Sequence, residues 1–288
     1  MGVKDNMKFK NTTAGIFVPD SKTEAEALKR TTHMSIGAHP DDIEIMAYDG
    51  IVKCFNQKDK WFFGVVVTDG AGSARTGVYK DYTDVEMIKI RRKEQEKAAI
   101  LGDYSGIAML DYPSKETKSK DNETIVEEIK ELILEANPEV IYTHNLADKH
   151  DTHIGVVTKV IKAIRQIEPA KRPKKLYGCE VWRNLDWLLE ADKVLFDTSA
   201  HPNLASALVE IFDSQIVGGK RYDLGAIGRR RANATYTESH SIDEAEQMIY
   251  GMDLTPLIEN DDLDVVEFAT AFIERLKTDV QDRVKKMI

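Results

Sequence analysis

Between Thr32 and Ile164, short apolar runs alternate with segments whose apolar residues recur every three or four positions, and this alternation restricts the chain to an α/β architecture. Residues 33–38, 61–68, 107–110 and 140–143 read as strands, the second and fourth rich in Val, Ile or aromatic side chains. Between them, helical spacing predicts a helix over 123–136, with Ile125, Ile129, Leu132, Ile133 and Ala136 on one stripe and Asn137-Pro138 as its stop. A second helix is predicted over 85–101, closed by Gly102. The expected fold is a doubly wound, mostly parallel sheet with helices on both faces, Rossmann-like, and ligands in such folds bind beyond the carboxyl ends of the strands.

Outside this region the pattern is weaker. The first thirty residues are polar and aperiodic, and read as a surface wrap. Residues 176–182 and 193–197 read as further strands and 204–212 as a helix. From about residue 263 onward Val265, Phe268, Phe272, Leu276, Val280, Val284 and Met287 recur at helical spacing. That stripe predicts a C-terminal helical extension, read first as core packing and second as an oligomer contact. The whole chain is expected to be one domain, with a core over about 32–220 and an extension over 221–288. Residues 221–256 show no chemistry.

Composition narrows the function classes. A chain of 288 residues can bury a large core, and 42% apolar with 31% charged residues is the balance of a globular enzyme. The formal charge of −9 argues against a general nucleic-acid binder. Arg229-Arg230-Arg231 reads as a solvated surface, with a local basic pocket as the alternative. Cys54 and Cys179 form neither a metal-ligand spacing nor a disulfide framework, so a reducing compartment is expected. No run is apolar enough to span a membrane, and the stretch at 1–6 lacks the pattern of a secretory leader. A cytoplasmic location is the expectation.

The chemistry concentrates in two segments. Gly37-Ala38-His39-Pro40-Asp41-Asp42 closes the first strand and opens an amphipathic run. An aspartate there is favoured as a helix cap, which accounts for one carboxylate but not for both, nor for the histidine. About a hundred residues later His150-Asp151-Thr152-His153 stands where another helix begins. Its two histidines are three apart, so they project from nearly the same face; one can bind a metal while the other reaches over the same site. Two imidazoles and a carboxylate, with one position left open, is the composition of a catalytic rather than a structural zinc site. A second carboxylate beside it can take a proton from water, and the remaining histidine can stabilise an oxyanion or protonate a leaving amine.

On these residues the sequence resembles the PIG-L/LmbE-like family of zinc-dependent N-acetylglucosaminyl deacetylases. Gly37 to Asp42 matches that family's A-H-P-D-D signature, and His150-Asp151-Thr152-His153 matches its later H-x-D-H motif at both histidines. Thr68-Asp69-Gly70, Arg91 with Glu94 ahead of Leu101-Gly102, Leu110-Asp111-Tyr112-Pro113 and Ser214-Gln215 also fit, so the likeness runs over about 32–220. The resemblance implies His39, Asp42 and His153 as ligands of one zinc ion or another divalent metal per chain, Asp41 as general base and His150 as the second catalytic histidine. It implies removal of acetate from an N-acetylglucosamine-type sugar or glycoside, a small-molecule substrate. Two alternatives are a zinc hydrolase of another amide, such as a thiol-sugar conjugate, and a sugar-binding relative without turnover; retention of Asp41 counts against the second.

The chain departs from the family at Thr152, where an orienting aspartate is usual; the neighbouring Asp151 is a candidate replacement. It also carries Met46, Tyr48 and Asp49 where the family often has glycines, which bears on the pocket floor. In the loop 69–75, Arg75 is a candidate for binding a sugar hydroxyl or a substrate phosphate, against the simpler reading of a solvated arginine. Trp182 and Trp187 read first as core and second as a sugar-stacking surface. His144 reads equally as a loop histidine and as a partner to the metal ligands.

Overall fold

Residues 62–68, Phe-Phe-Gly-Val-Val-Val-Thr, offer no face to water, and the strand they form is buried along its whole length. It belongs to an eight-stranded sheet made of β1 (Gly15–Phe17), β2 (His33–Gly37), β3 (Phe62–Thr68), β4 (Gly106–Tyr112), β5 (Val140–His144), β6 (Lys175–Cys179), β7 (Lys193–Asp197) and β8 (Met248–Asp253). The helices of the first half are α1 (Glu24–Lys29), α2 (Asp42–Met46), α3 (Tyr48–Cys54), α4 (Asp84–Leu101), α5 (Ser114–Lys118) and α6 (Glu123–Ala136). Those of the second half are α7 (Asp151–Arg165), α8 (Pro202–Glu210), α9 (Asp213–Ile216), α10 (Tyr222–Thr235), α11 (Pro256–Glu259) and α12 (Val265–Lys285). This computed structural model describes residues 7–237, 240 and 242–288; the stretch at 1–6, expected to carry no leader, lies outside the described residues.

The strand order is β1-β4-β3-β2-β5-β6-β8-β7. Strands β4, β3, β2, β5 and β6 pair in parallel, while β1 and β8 are antiparallel to their neighbours. The order reverses between β2 and β5, and the crevice at such a switch point is where ligands bind in open α/β sheets. Both metal-type motifs leave the sheet there: His39 follows β2, and His150 and His153 follow β5.

Alternation along β3 divides the core into two layers. Phe63, Val65 and Val67 join a cluster with Ile129, Leu132 and Ile133 of α6 and Val156, Val157 and Val160 of α7. Phe62 and Val66 face the other way, onto Ile43 and Met46 of α2, Ile51 of α3 and Ala98 of α4. Burying a side chain of this size contributes roughly 1.5–3 kcal/mol, so both helical layers are bound to the sheet by many such terms. Thr83 starts α4 with a full capping box, its hydroxyl accepting from the Glu86 amide while Glu86 accepts from the Thr83 amide.

Three segments differ from expectation. The N-terminal stretch, expected only to wrap the surface, adds β1 to the sheet edge and α1, capped by Thr23. Elements of three and six residues are too short to show a period. Residues 221–256, blank in the sequence, supply α10 and β8, and β8 inserts between β6 and β7. The stripe of α12 packs on the core through Val265, Phe268 and Phe272, but Val280, Val284 and Met287 are exposed. A helix of 21 residues is about 30 Å long and outruns the face on which it docks. Among the described residues no helix is long and apolar enough to cross a membrane.

Candidate metal centre and active site

The turn after β2 is shaped by backbone conformation before any side chain acts. Asp41 sits at φ 95°, ψ −28°, a left-handed conformation rare for a residue with a side chain, and it makes no side-chain cap to α2. Asp42, the first residue of α2, instead accepts the His39 amide on Oδ2 at 2.7 Å. The cap reading of one aspartate is therefore not what the structure shows: both carboxylates are turned to the crevice.

Three lone pairs converge at that point. Nδ1 of His39 and Oδ2 of Asp42 are 3.2 Å apart, Nδ1 of His39 and Nε2 of His153 are 3.2 Å apart, and Oδ2 of Asp42 lies 3.4 Å from Nε2 of His153. Donors on a tetrahedron with bonds of about 2.0–2.1 Å are separated by about 3.3–3.4 Å, so these atoms outline one face of a zinc-sized coordination sphere. The protonation states agree. Nδ1 of His153 donates to Oδ2 of Asp148 at 2.9 Å, which leaves Nε2 as a bare lone pair. Burial drives the His153 pKa down to about 4, so the imidazole is neutral, the form that could bind a cation. Burial alone would raise Asp42, but the pull of the His153 and His39 rings and the hydrogen bonds around the carboxyl outweigh it and hold it well below its usual range.

Asp148 fills the place left by Thr152. The sequence offered Asp151 for that role, but Asp151 is exposed on the outer side of α7. Asp148 lies in the loop before the helix, accepts the His150 amide on Oδ1 at 2.9 Å and holds His153 with its other oxygen. Nothing in the local spacing marks it, since the loop from β5 decides which carboxylate reaches the ring. His144, the last residue of β5, is fully buried, stacked on His153 with centroids 3.9 Å apart, and accepts the Ala38 amide on Nε2 at 2.9 Å. Its Nε2 also lies 3.4 Å from Oδ2 of Asp42, so His144, Asp42 and His153 form a second set of donor atoms near enough for one cation, although the His144 lone pair already accepts the Ala38 amide.

Asp41 has a different surrounding. Arg91, 2% exposed, places both terminal nitrogens 3.3 Å from Oδ2 of Asp41 and also donates to the Pro40 carbonyl. Gln95, one helical turn later on α4, accepts the Asp41 amide at 3.2 Å. Burial pushes the Asp41 carboxyl up, against the pull of Arg91, to about 6. Gly70, at φ 72° in the loop after β3, lies against the Arg91 side chain, where a Cβ would come within 3.3 Å.

His150 caps α7: its Nδ1 accepts the Thr152 amide at 3.3 Å, so its proton sits on Nε2. Burial, and then the charge of His39, lower its pKa, keeping it neutral. A cavity of about 230 Å³ opens in front of these groups, walled by His39, Asp41, Asp42, His150, Trp182 and Tyr222 among others. Gln215, from the Ser214-Gln215 pair, also lines it, and Ser214 is tied to Glu94 through its amide and hydroxyl at 2.7 and 2.6 Å. Trp182 lies here because β6 ends at Cys179, earlier than the expected strand, whereas Trp187 packs on Phe272.

Other candidates fall elsewhere. Arg75 bonds to Asp84 and the Ala71 carbonyl and is not part of the cavity wall. Met46, Tyr48 and Asp49 are buried beneath the turn, and the tyrosine bonds to the Ala200 and His201 carbonyls rather than forming the pocket floor. In the arginine triplet, Arg230 is 2% exposed and donates to the Glu44 and Ile45 carbonyls while Arg229 donates to the Val181 carbonyl; both line a small cavity with Arg183, Glu180 and Asn233, so these two are not the solvated surface expected.

Residues 34–169, which hold both motifs and four of the five parallel strands, match the PIG-L family, described as GlcNAc-PI de-N-acetylase. That match covers just under half of the chain. Among curated proteins no sequence match accompanies it. Solved structures share its fold. A conserved protein of Thermus thermophilus is 15% identical, with a TM-score of 0.61 over 81% of this chain and 99% of that one. The N,N'-diacetylchitobiose deacetylase of Pyrococcus horikoshii is 15% identical, with a TM-score of 0.60 over 80% and 86%. The 4-carboxy-2-hydroxymuconate hydratase of Pseudomonas putida is 16% identical, with a TM-score of 0.57 over 78% and 95%. A deacetylase and a hydratase both resemble this chain at this level, so the likeness speaks to the fold, and the reaction has to be argued from the site.

Proposed function

We propose that this protein is a metal-dependent amide hydrolase that removes the acetyl group from an N-acetylglucosamine-type sugar or glycoside. The observation that carries the reading is the pairing of a three-donor cation site with a buried carboxylate, Asp41, that is held beside it by Arg91 and Gln95. A protein that only bound sugar would need the cavity but not this carboxylate.

His39, Asp42 and His153 would hold one zinc or similar divalent ion, which when bound supplies Lewis acidity that polarises the acyl oxygen and makes water more acidic. Asp41 takes the proton of the attacking water. With its carboxyl near 6 it is ionised at neutral pH and still a useful base. After addition it returns that proton to the amide nitrogen as the C–N bond breaks, leaving acetate and a free amine. His150 donates from Nε2 to the oxyanion as negative charge develops there. Its Nδ1 faces the Thr152 amide rather than a carboxylate, and burial outweighs the pull of Asp42 and Asp148 on the ring, so the proton traffic falls to Asp41. The Trp182 and Tyr222 rings, T-shaped at 5.6 Å, offer the apolar wall for a sugar ring.

The test is direct. Purified protein is incubated with a panel of N-acetylated sugars, and released acetate is measured with and without chelator. Acetate release that chelator abolishes and divalent metal restores supports the reading. A metal-loaded protein that releases acetate from none of the panel sinks it.

A further inference from the structure

Asp41 would have an easier backbone conformation as an ordinary helix cap, and something must hold it at φ 95°. Its amide donates to Oε1 of Gln95 at 3.2 Å. Gln95 is fully buried, and a side-chain amide in that place could present either end to Asp41; only the oxygen end accepts the N–H. The choice is made at the far end of the Gln95 side chain. There Nε2 of Gln95 donates to Oε1 of Glu44 at 2.8 Å, and the Tyr104 hydroxyl donates to the same oxygen at 2.8 Å. Because Glu44 offers an acceptor, Gln95 must turn its NH₂ there and its oxygen to Asp41.

Glu44 itself is fully buried on α2 and is not part of the cavity wall, so it touches no substrate. We propose that Glu44 is a positioning residue for the base: by orienting Gln95 it fixes Asp41 in the left-handed turn that aims its carboxylate at the cavity. The inference rests on the reading of Asp41 as the general base.

Crystal structures and acetate-release kinetics of Glu44→Gln, Glu44→Met, Gln95→Met and the Glu44→Met/Gln95→Met double variant test it, with metal content measured for each. Glu44→Gln keeps an acceptor oxygen and should hold both Asp41 and kcat within about threefold of the parent. Glu44→Met should release Asp41 towards a cap conformation and lower kcat by about tenfold or more at unchanged KM and metal content. The double variant should be no slower than Gln95→Met alone, since one residue acts through the other. Asp41 unmoved in the Glu44→Met crystal, or losses that multiply in the double variant, would overturn the proposal. Should Glu44→Met fail to fold, Gln95→Met carries the same expectation for Asp41, and an unmoved Asp41 there overturns it equally. A parent protein that cleaves no N-acetyl sugar would instead remove the functional reading, while the crystals still decide the positioning.

Discussion

His153 donates from Nδ1 to Asp148 at 2.9 Å, and this bond sets which nitrogen of the ring faces His39 and Asp42. Burial raises the Asp148 carboxyl, but the hydrogen bond from His153 and the pull of the rings beside it more than offset it, so the acid stays ionised as an acceptor. Asp148→Ala should therefore weaken metal binding by about 10- to 100-fold without removing a ligand. Chelator competition with zinc measures it; unchanged affinity would demote Asp148 to loop packing.

Asp41 is next to Asp42 in the chain yet outside the donor triangle. Asp41→Asn keeps its size and removes the proton acceptor, so metal content should persist while turnover falls by ~10²-fold or more. Near-parental acetate release by this variant would mean that another group serves as base.

The two histidines of α7 should separate cleanly. His153→Ala should lose both metal and activity. His150→Ala should keep its metal and lose rate, with kcat falling more than KM rises, because a donor to the oxyanion matters only as that charge develops. Metal loss in His150→Ala with retention in His153→Ala would reverse the roles.

Glu180, buried near Asp148 and accepting the Trp182 amide, is pushed up by that burial, with Asp148 adding to it, to about 7 from an ordinary 4.5. Unfolded, it ionises near 4.5; folded, it keeps its proton to about 7. Its favourable contribution is whole below the lower value and is lost as pH rises through the window between them. Glu180→Gln stands in for the protonated acid, so it should flatten the fall of Tm between pH 5 and 8. Melting curves at several pH values for both proteins decide it, and parallel slopes would count against a proton on Glu180.

Much of the frame is written locally. The helix Glu123–Ala136 and the strand Lys193–Asp197 fall where periodicity places them, because amphipathic spacing and stop residues act within a turn or two. The same holds for the turn at His39 to Asp42 and the helix start at His150, whose residues lie together in the chain and carry their chemistry with them. What the sequence by itself determined is thus an α/β sheet with a histidine-carboxylate motif at the ends of two strands.

Only the tertiary structure decided how those groups are used. Arg91 and Gln95 reach Asp41 across some fifty residues, and Asp148 rather than Asp151 meets His153 because the loop after β5 folds back on the ring. Glu44 acts on Asp41 only through a helix that packs over the turn. Local sequence fixes which side chains a strand end presents, but the partner of a buried lone pair is whichever group the strand order and loop paths bring within hydrogen-bond reach of it. β8 shows the same limit at the level of the fold, since it pairs with both β6 and β7 across the chain, a place that no period of its own specifies.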